Sequence, residues 1–235
     1  MRKMVITLLA LSVFAASAAL AGTQAVRFSQ VYGGGGSATG TYCPDYLELF
    51  NNSGTAVNIS GWQIQYGAAA GNFASNTFTI AILPAGAIIA PCGYYLVQVG
   101  TVATPGTCRA LPVTPDFING AGPNMSATAG KVALLPAGTA TNQLCAVIKP
   151  LAIDLFGWGT ADCFETQAAP TPSNVLIAVR KLGGIQDTDN NFNDFTNVSA
   201  PLVTMHNAAG GIRNVECLAV PANRNSWGQI KTIYR

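Results

Sequence analysis

Charge is what this sequence has least of. Only 9% of its 235 residues are Asp, Glu, Lys or Arg, against about 25% in an ordinary soluble domain. The formal net charge is +2. A disordered chain combines high net charge with low hydrophobicity, so that class is excluded. A groove that neutralises phosphates needs a basic excess, so no nucleic-acid partner is expected. Histidine is nearly absent: His206 is the only one. No C-x-x-C pair occurs, which leaves a zinc site without a ligand set. Any Ser-His-Asp or Cys-His device would have to use His206. No window of a dozen residues carries a helical stripe. Past the N-terminus, no apolar run is long enough to cross a bilayer.

The N-terminus itself is apolar. Arg2 and Lys3 precede an apolar stretch over 4–14, and Ala19-Leu20-Ala21 follows. This pattern predicts a signal peptide over 1–21, cleaved after Ala21. Its loss removes two cations and leaves ten basic and ten acidic side chains. The six cysteines all lie beyond it. An even number in an exported chain predicts three disulfides. Six cysteines allow 15 pairings. Cys145–Cys163 and Cys92–Cys108 each bracket one strand-like run and are the expected close pairs, which leaves Cys43–Cys217. The expected location is extracellular or in the cell envelope, periplasm included.

Short strand-like runs are separated by Gly, Pro, Asn and Ser turns. Val26–Tyr32 alternates, with Val26, Phe28 and Gln30 on one side and Arg27, Ser29 and Val31 on the other. In 46–50, Leu47 and Leu49 oppose Tyr46, Glu48 and Phe50. In 62–66, Trp62, Ile64 and Tyr66 oppose Gln63 and Gln65. Further runs occupy 57–59, 78–83, Tyr94–Val99, 131–135, 152–158 and 175–181. The stretch 101–130 reads as a long loop pinned by Cys108. Many short strands with regular turns predict an all-β sandwich with loop elaborations.

Particular strings carry more than pattern. Tyr32-Gly33-Gly34-Gly35-Gly36, Asp45-Tyr46-Leu47-Glu48-Leu49-Phe50-Asn51 and Ile59-Ser60-Gly61-Trp62 come in that order. Gly93-Tyr94-Tyr95-Leu96-Val97-Gln98, 125–134 and Ile153-Asp154-Leu155-Phe156-Gly157-Trp158-Gly159 follow, and Asp187-Thr188-Asp189-Asn190-Asn191 with Asp194-Phe195 closes the set. Together they resemble the lamin tail domain, most closely its secreted bacterial members, over 26–201. The resemblance implies an immunoglobulin-like β-sandwich. It also implies a non-catalytic module of a kind found alone or beside nuclease, phosphoesterase or other hydrolase domains.

The strings have structural readings of their own. Glycines at 33–36 suit a sharp turn with positive φ, and Gly61 a bend that aims Trp62 inward. Asp45, Asp154 and Asp187 suit acceptors of backbone N–H at strand ends. Asp187, Asp189, Asn191 and Asp194 offer alternating oxygen ligands, so calcium is the one cofactor the sequence suggests. They do not form an EF-hand, since Phe192 and Val198 stand where its Gly and Glu belong. Residues 202–235 form a basic C-terminal extension, ending in the alternating stretch 226–235. The expected function is a secreted, non-catalytic binding, adhesion or scaffolding module. Its partner would be an envelope or extracellular protein or glycan. The alternative is a phosphoesterase- or nuclease-associated extracellular hydrolase, or an accessory module of one.

Overall fold

The computed structural model of the chain describes residues 25–102 and 108–218. The predicted leader with its cleavage site at Ala21, and the stretch 226–235, lie outside them. Twelve strands follow one another: β1 (Val26–Tyr32), β2 (Asp45–Asn51), β3 (Val57–Asn58), β4 (Gln63–Ala68), β5 (Ile80–Ile82), β6 (Ile88–Ile89), β7 (Tyr94–Val99), β8 (Phe117–Asn119), β9 (Gly130–Leu135), β10 (Asp154–Trp158), β11 (Leu176–Arg180) and β12 (Phe195–Ser199). Among the described residues helix is confined to short turns, including α1 (Cys145–Ile148), α2 (Asn191–Asp194) and α3 (Val215–Leu218).

The strands form a six-stranded sheet, β12-β11-β1-β2-β7-β8, and a four-stranded sheet, β10-β9-β4-β5. All neighbours are antiparallel except β7 and β8. The two sheets form an immunoglobulin-like sandwich. Phe28, Val31, Leu47, Leu49 and Val97 from one sheet meet Ile64, Val132, Leu134, Phe156 and Trp158 from the other. Each such side chain, fully buried, contributes about 1.5–3 kcal/mol.

Both outer faces are covered as well. On the six-stranded sheet Tyr32, Tyr46, Leu96 and Ile177 pack with Tyr42, Ala200 and Met205. On the four-stranded sheet Ala133, Leu135 and Leu155 pack with Phe73, Ile148 and Cys163. Strands β1, β2 and β9 are therefore buried on both sides along their whole length. This double cover explains the scarcity of charge. These three strands have no solvent face on which to carry it.

Two sequence expectations change. The alternation predicted for β1 breaks at a bulge between Phe28 and Gln30. Ser29 and Gln30 both bond Glu48 on the outer face, so Phe28 and Val31 share the central core. The disulfides also re-pair. Cys145–Cys163 forms as expected, but the others are Cys43–Cys108 and Cys92–Cys217, not Cys92–Cys108 and Cys43–Cys217. The reason is backbone pairing. Cys43 N–H donates to Arg109 O at 2.8 Å and Arg109 N–H to Thr41 O at 2.9 Å, which sets Cys108 beside Cys43. Asn214 N–H donates to Cys92 O, and Gly93 bridges Arg213, which brings Cys217 to Cys92.

The glycine run behaves differently from its prediction. Only Gly36 adopts a positive φ, 71°. Gly35 is there for close approach, since a Cβ on it would lie 2.2 Å from the carbonyl carbon of Pro44. The loop read over 101–130 contains β8, pinned on its N-terminal side by Cys108.

Candidate functional site

The fold brings two polar clusters together. The first lies at one end of the sandwich around Arg180 of β11. This side chain is fully buried. Its Nη2 forks onto both oxygens of Asp154, at 2.8 and 2.9 Å, and its Nε donates to Phe28 O at 2.8 Å. Its Nη1 donates to Asp187 at 3.4 Å and lies 3.8 Å from Asp194. Its plane covers the Phe195 ring at 4.5 Å. Arg27 adds a second cation on Asp187, at 3.3 Å.

The calcium-ligand candidates are drawn into this network in unequal ways. Asp187 and Asp194 stand with Glu165, their oxygens within 4.8 Å of one another. Asp194 also accepts from Thr188 N–H and Oγ1 at 2.8 and 2.9 Å. Asn191 is buried and serves as a clamp. Its Oδ1 accepts from Gly157 and Glu165 N–H, and its Nδ2 donates to Leu155 O and Glu165. Asp189 takes a positive φ of 53° just before the Asn190 cap of α2 and is not among the grouped carboxylates. Burial, and then Asp154, push the Glu165 carboxyl up to about 9. Asp45 and Asp154 accept backbone N–H as read from the sequence, from Gly35, Met125 and Phe28. Asp187 instead pairs with arginine.

The second cluster is on the outer face of the six-stranded sheet. Glu48 of β2 is buried and carries four contacts. Its Oε1 accepts from Ser29 Oγ at 2.7 Å and Gln30 Nε2 at 3.0 Å. Its Oε2 accepts from His206 N–H at 2.6 Å and lies 3.2 Å from His206 Nδ1. The imidazole stacks on Tyr94, ring centres 4.3 Å apart. Burial pushes the Tyr94 hydroxyl up to about 12, with Glu48 adding to the effect. That hydroxyl donates to Gly183 O.

Beside this pair opens a cleft of about 240 Å³, walled by Val179, Val198, Leu202 and Val203 as well as Tyr94 and His206. Sequence reading set Glu48 on the face opposite Leu47 and Leu49 and gave it no partner. It set His206 beyond the domain's main motifs. The signal available was the His206 neighbourhood itself, a polar strap that needs acceptors on the sheet it crosses. Trp158 is buried and donates from its indole to Ser126 O. Trp62 packs partly buried against the central core.

The strap is the described part of the C-terminal extension. Beyond His206, Asn207 donates to Thr114 O and Ala208 N–H to Asp116. Arg213 reaches Pro91 O, and Cys217 closes the strap onto Cys92. Packing therefore continues past residue 201.

The family model described as Lamin Tail Domain matches residues 20–160, more than half of the chain. The chain belongs to this family. No curated protein matches it. Among solved structures, a DUF4876 family protein from Bacteroides thetaiotaomicron VPI-5482 is similar at a TM-score of 0.54 and 14% identity. The likeness covers 79% of this chain and 74% of that one, and it is a likeness of fold. The lamin tail domain match ends just after β10, yet this sandwich needs β11 and β12 to complete its larger sheet. Among the described residues, no helix is long and apolar enough to cross a membrane.

Proposed function

We propose that this lamin tail domain is an exported, non-catalytic binding module. Its cleft beside Tyr94 and His206 receives an apolar group of an envelope or extracellular partner. The observation that carries this reading is the state of the polar groups there. The four hydrogen-bonding positions of Glu48 already face Ser29, Gln30 and His206. What remains open to a ligand is the apolar wall. Three disulfides support an oxidising compartment.

The hydrolase alternative draws on the Glu48–His206 pair. Against it, Ser29 Oγ donates to the carboxylate and not to the imidazole, the reverse of the order a nucleophile needs. The Arg180 cluster is read as a structural ion network, because Asp187 and Asp194 already face arginine. Calorimetric titration with calcium is expected to give no heat.

Binding is tested with the labelled exported chain and the envelope fraction of the producing cell. Saturable binding, competed by unlabelled chain and weakened by Val198→Trp, is the expected result. Hydrolysis of a bis-aryl phosphodiester that disappears in His206→Ala would overturn the reading.

A further inference from the structure

We propose that this domain pairs with a second copy of itself through the free edge of β5, strand against strand about a two-fold axis at Ile82. The pairing is independent of the cleft beside Tyr94 and His206, since no residue of β5 lines that cleft.

The backbone of β5 shows what fits there. In its ladder with β4, Ile80, Ala81 and Ile82 stand opposite Gln65, Ile64 and Gln63. Leu83 N–H donates to Trp62 O at 2.8 Å, so Leu83 and Ala81 turn their backbone groups toward β4. Antiparallel positions alternate, which aims the N–H and C=O of Ile80 and Ile82 away from the sheet. Asn119 bears out that direction, since its Nδ2 reaches Ile80 O from the outer side at 3.0 Å. The N–H and C=O of Ile82 have no partner among the described residues. A second β5 related by a two-fold axis satisfies both at once, each Ile82 N–H donating to the other copy's Ile82 O. In that register Ile80 faces the other copy's Pro84, which has no N–H to give, and Ile80 O is already taken by Asn119.

The far edge of the same sheet is closed. Asn191 takes both Leu155 O and Gly157 N–H of β10, and Ala169 N–H donates to Gly157 O. Ile82 has no such cover. A contact in which both copies use β5 is complete with two chains and leaves no β5 edge to extend it.

Charge points to a copy of the same chain. Proteins keep edge strands single with charged side chains, Lys above all. Here residues 49–108 hold no Asp, Glu, Lys, Arg or His. Two copies meeting at β5 therefore set no like charges together and bury no unpaired one. The described residues as a whole carry ten carboxylates against seven Lys or Arg, so this neutral strip is where two anionic copies meet with least repulsion. The strip is also apolar. Phe78, Ile82 and Ile118 are 62%, 55% and 55% exposed on the side where β5 and β8 are the outer strands of their sheets and Asn119 links them. Covering such side chains stabilises the pair by about 25 cal/mol per Å² of apolar surface.

The test uses the exported full chain. Sedimentation equilibrium in the micromolar range is expected to show monomer and dimer in exchange, as suits a narrow interface. Ile82→Lys sets two ammonium groups opposite each other and should weaken the dimer about ten-fold or more. Ile82→Val should leave it unchanged. Amide exchange at Ile82 should slow about ten-fold between dilute and concentrated protein. The Ile82 side chain is exposed, so Lys there leaves the central core untouched, and circular dichroism checks the fold. Should that variant not fold, exchange in the parent chain decides alone. A monomer at every concentration, masses beyond two copies, a folded Ile82→Lys chain that dimerises as the parent does, or an Ile82 amide indifferent to concentration would each overturn the proposal.

Discussion

Arg180 shows most directly how this protein uses its few charges. It is buried, and Asp154, Asp187 and Asp194 converge on it. Removing one partner of such a group leaves the others uncompensated. Arg180→Ala is therefore expected to lower stability by about 3–5 kcal/mol in urea unfolding. Asp45 supplies a different signature. Burial pushes its carboxyl up to about 7, against the N–H groups of Gly35 and Met125 that it accepts. The folded state holds that proton more tightly than the unfolded chain does, so stability falls as pH rises from about 4 to 7 and then levels off. The loss should reach about 4 kcal/mol, and Asp45→Asn should flatten that part of the curve. The role of Asp45 as a backbone acceptor was legible from its place at a strand end. The pairing of Asp187 with Arg27 and Arg180 was not, because its partners lie 160 and 7 residues away in sequence.

At the level of elements, the strands were the most readable feature. Alternation located β1, β2 and β4, and short strand-like runs located β7 and β9, because each has one apolar face turned to the central core. The three-residue β8 and two-residue β6 carry too few side chains for a period to show. The bulge in β1 was hidden for another reason. Ser29 and Gln30 read as a normal polar–polar step, and only Glu48 on the neighbouring strand reveals that both face outward. Deleting Ser29 would restore regular pairing with Phe28 still opposite Leu49 in the core and Gln30 still opposite Glu48 outside it. That deletion is therefore expected to leave the protein folded, and Ser29→Ala, which removes only a hydroxyl contact, should cost about 1 kcal/mol. Circular dichroism and thermal melting check both expectations. The disulfides teach the same lesson. Short sequence separation favoured Cys92 with Cys108, but cross-chain hydrogen bonds at Arg109 and Asn214 decided the pairing.

Over the whole molecule, the sparse charge, the double cover of the sheets and the strap are one design. Polar side chains that alternation alone would send to solvent are folded under the strap and the loops, where they hold those covers in place. The Cys92–Cys217 bond fastens the strap at its far end. Replacing both cysteines by Ser should lower stability by about 2–4 kcal/mol and raise hydrogen exchange over 203–214 while leaving β9 and β10 protected. The family and the sandwich were legible from ordered motifs. The cleft was not, because it exists only where the strap crosses β2 and β7. Its role is tested most directly by carbene footprinting of the exported chain, alone and saturated with envelope material. Labelling should fall at Val198, Leu202 and Val203 and stay unchanged along the exposed edge at Phe78 and Ile82. Protection of that edge with an unaltered cleft would contradict the binding role assigned to the cleft.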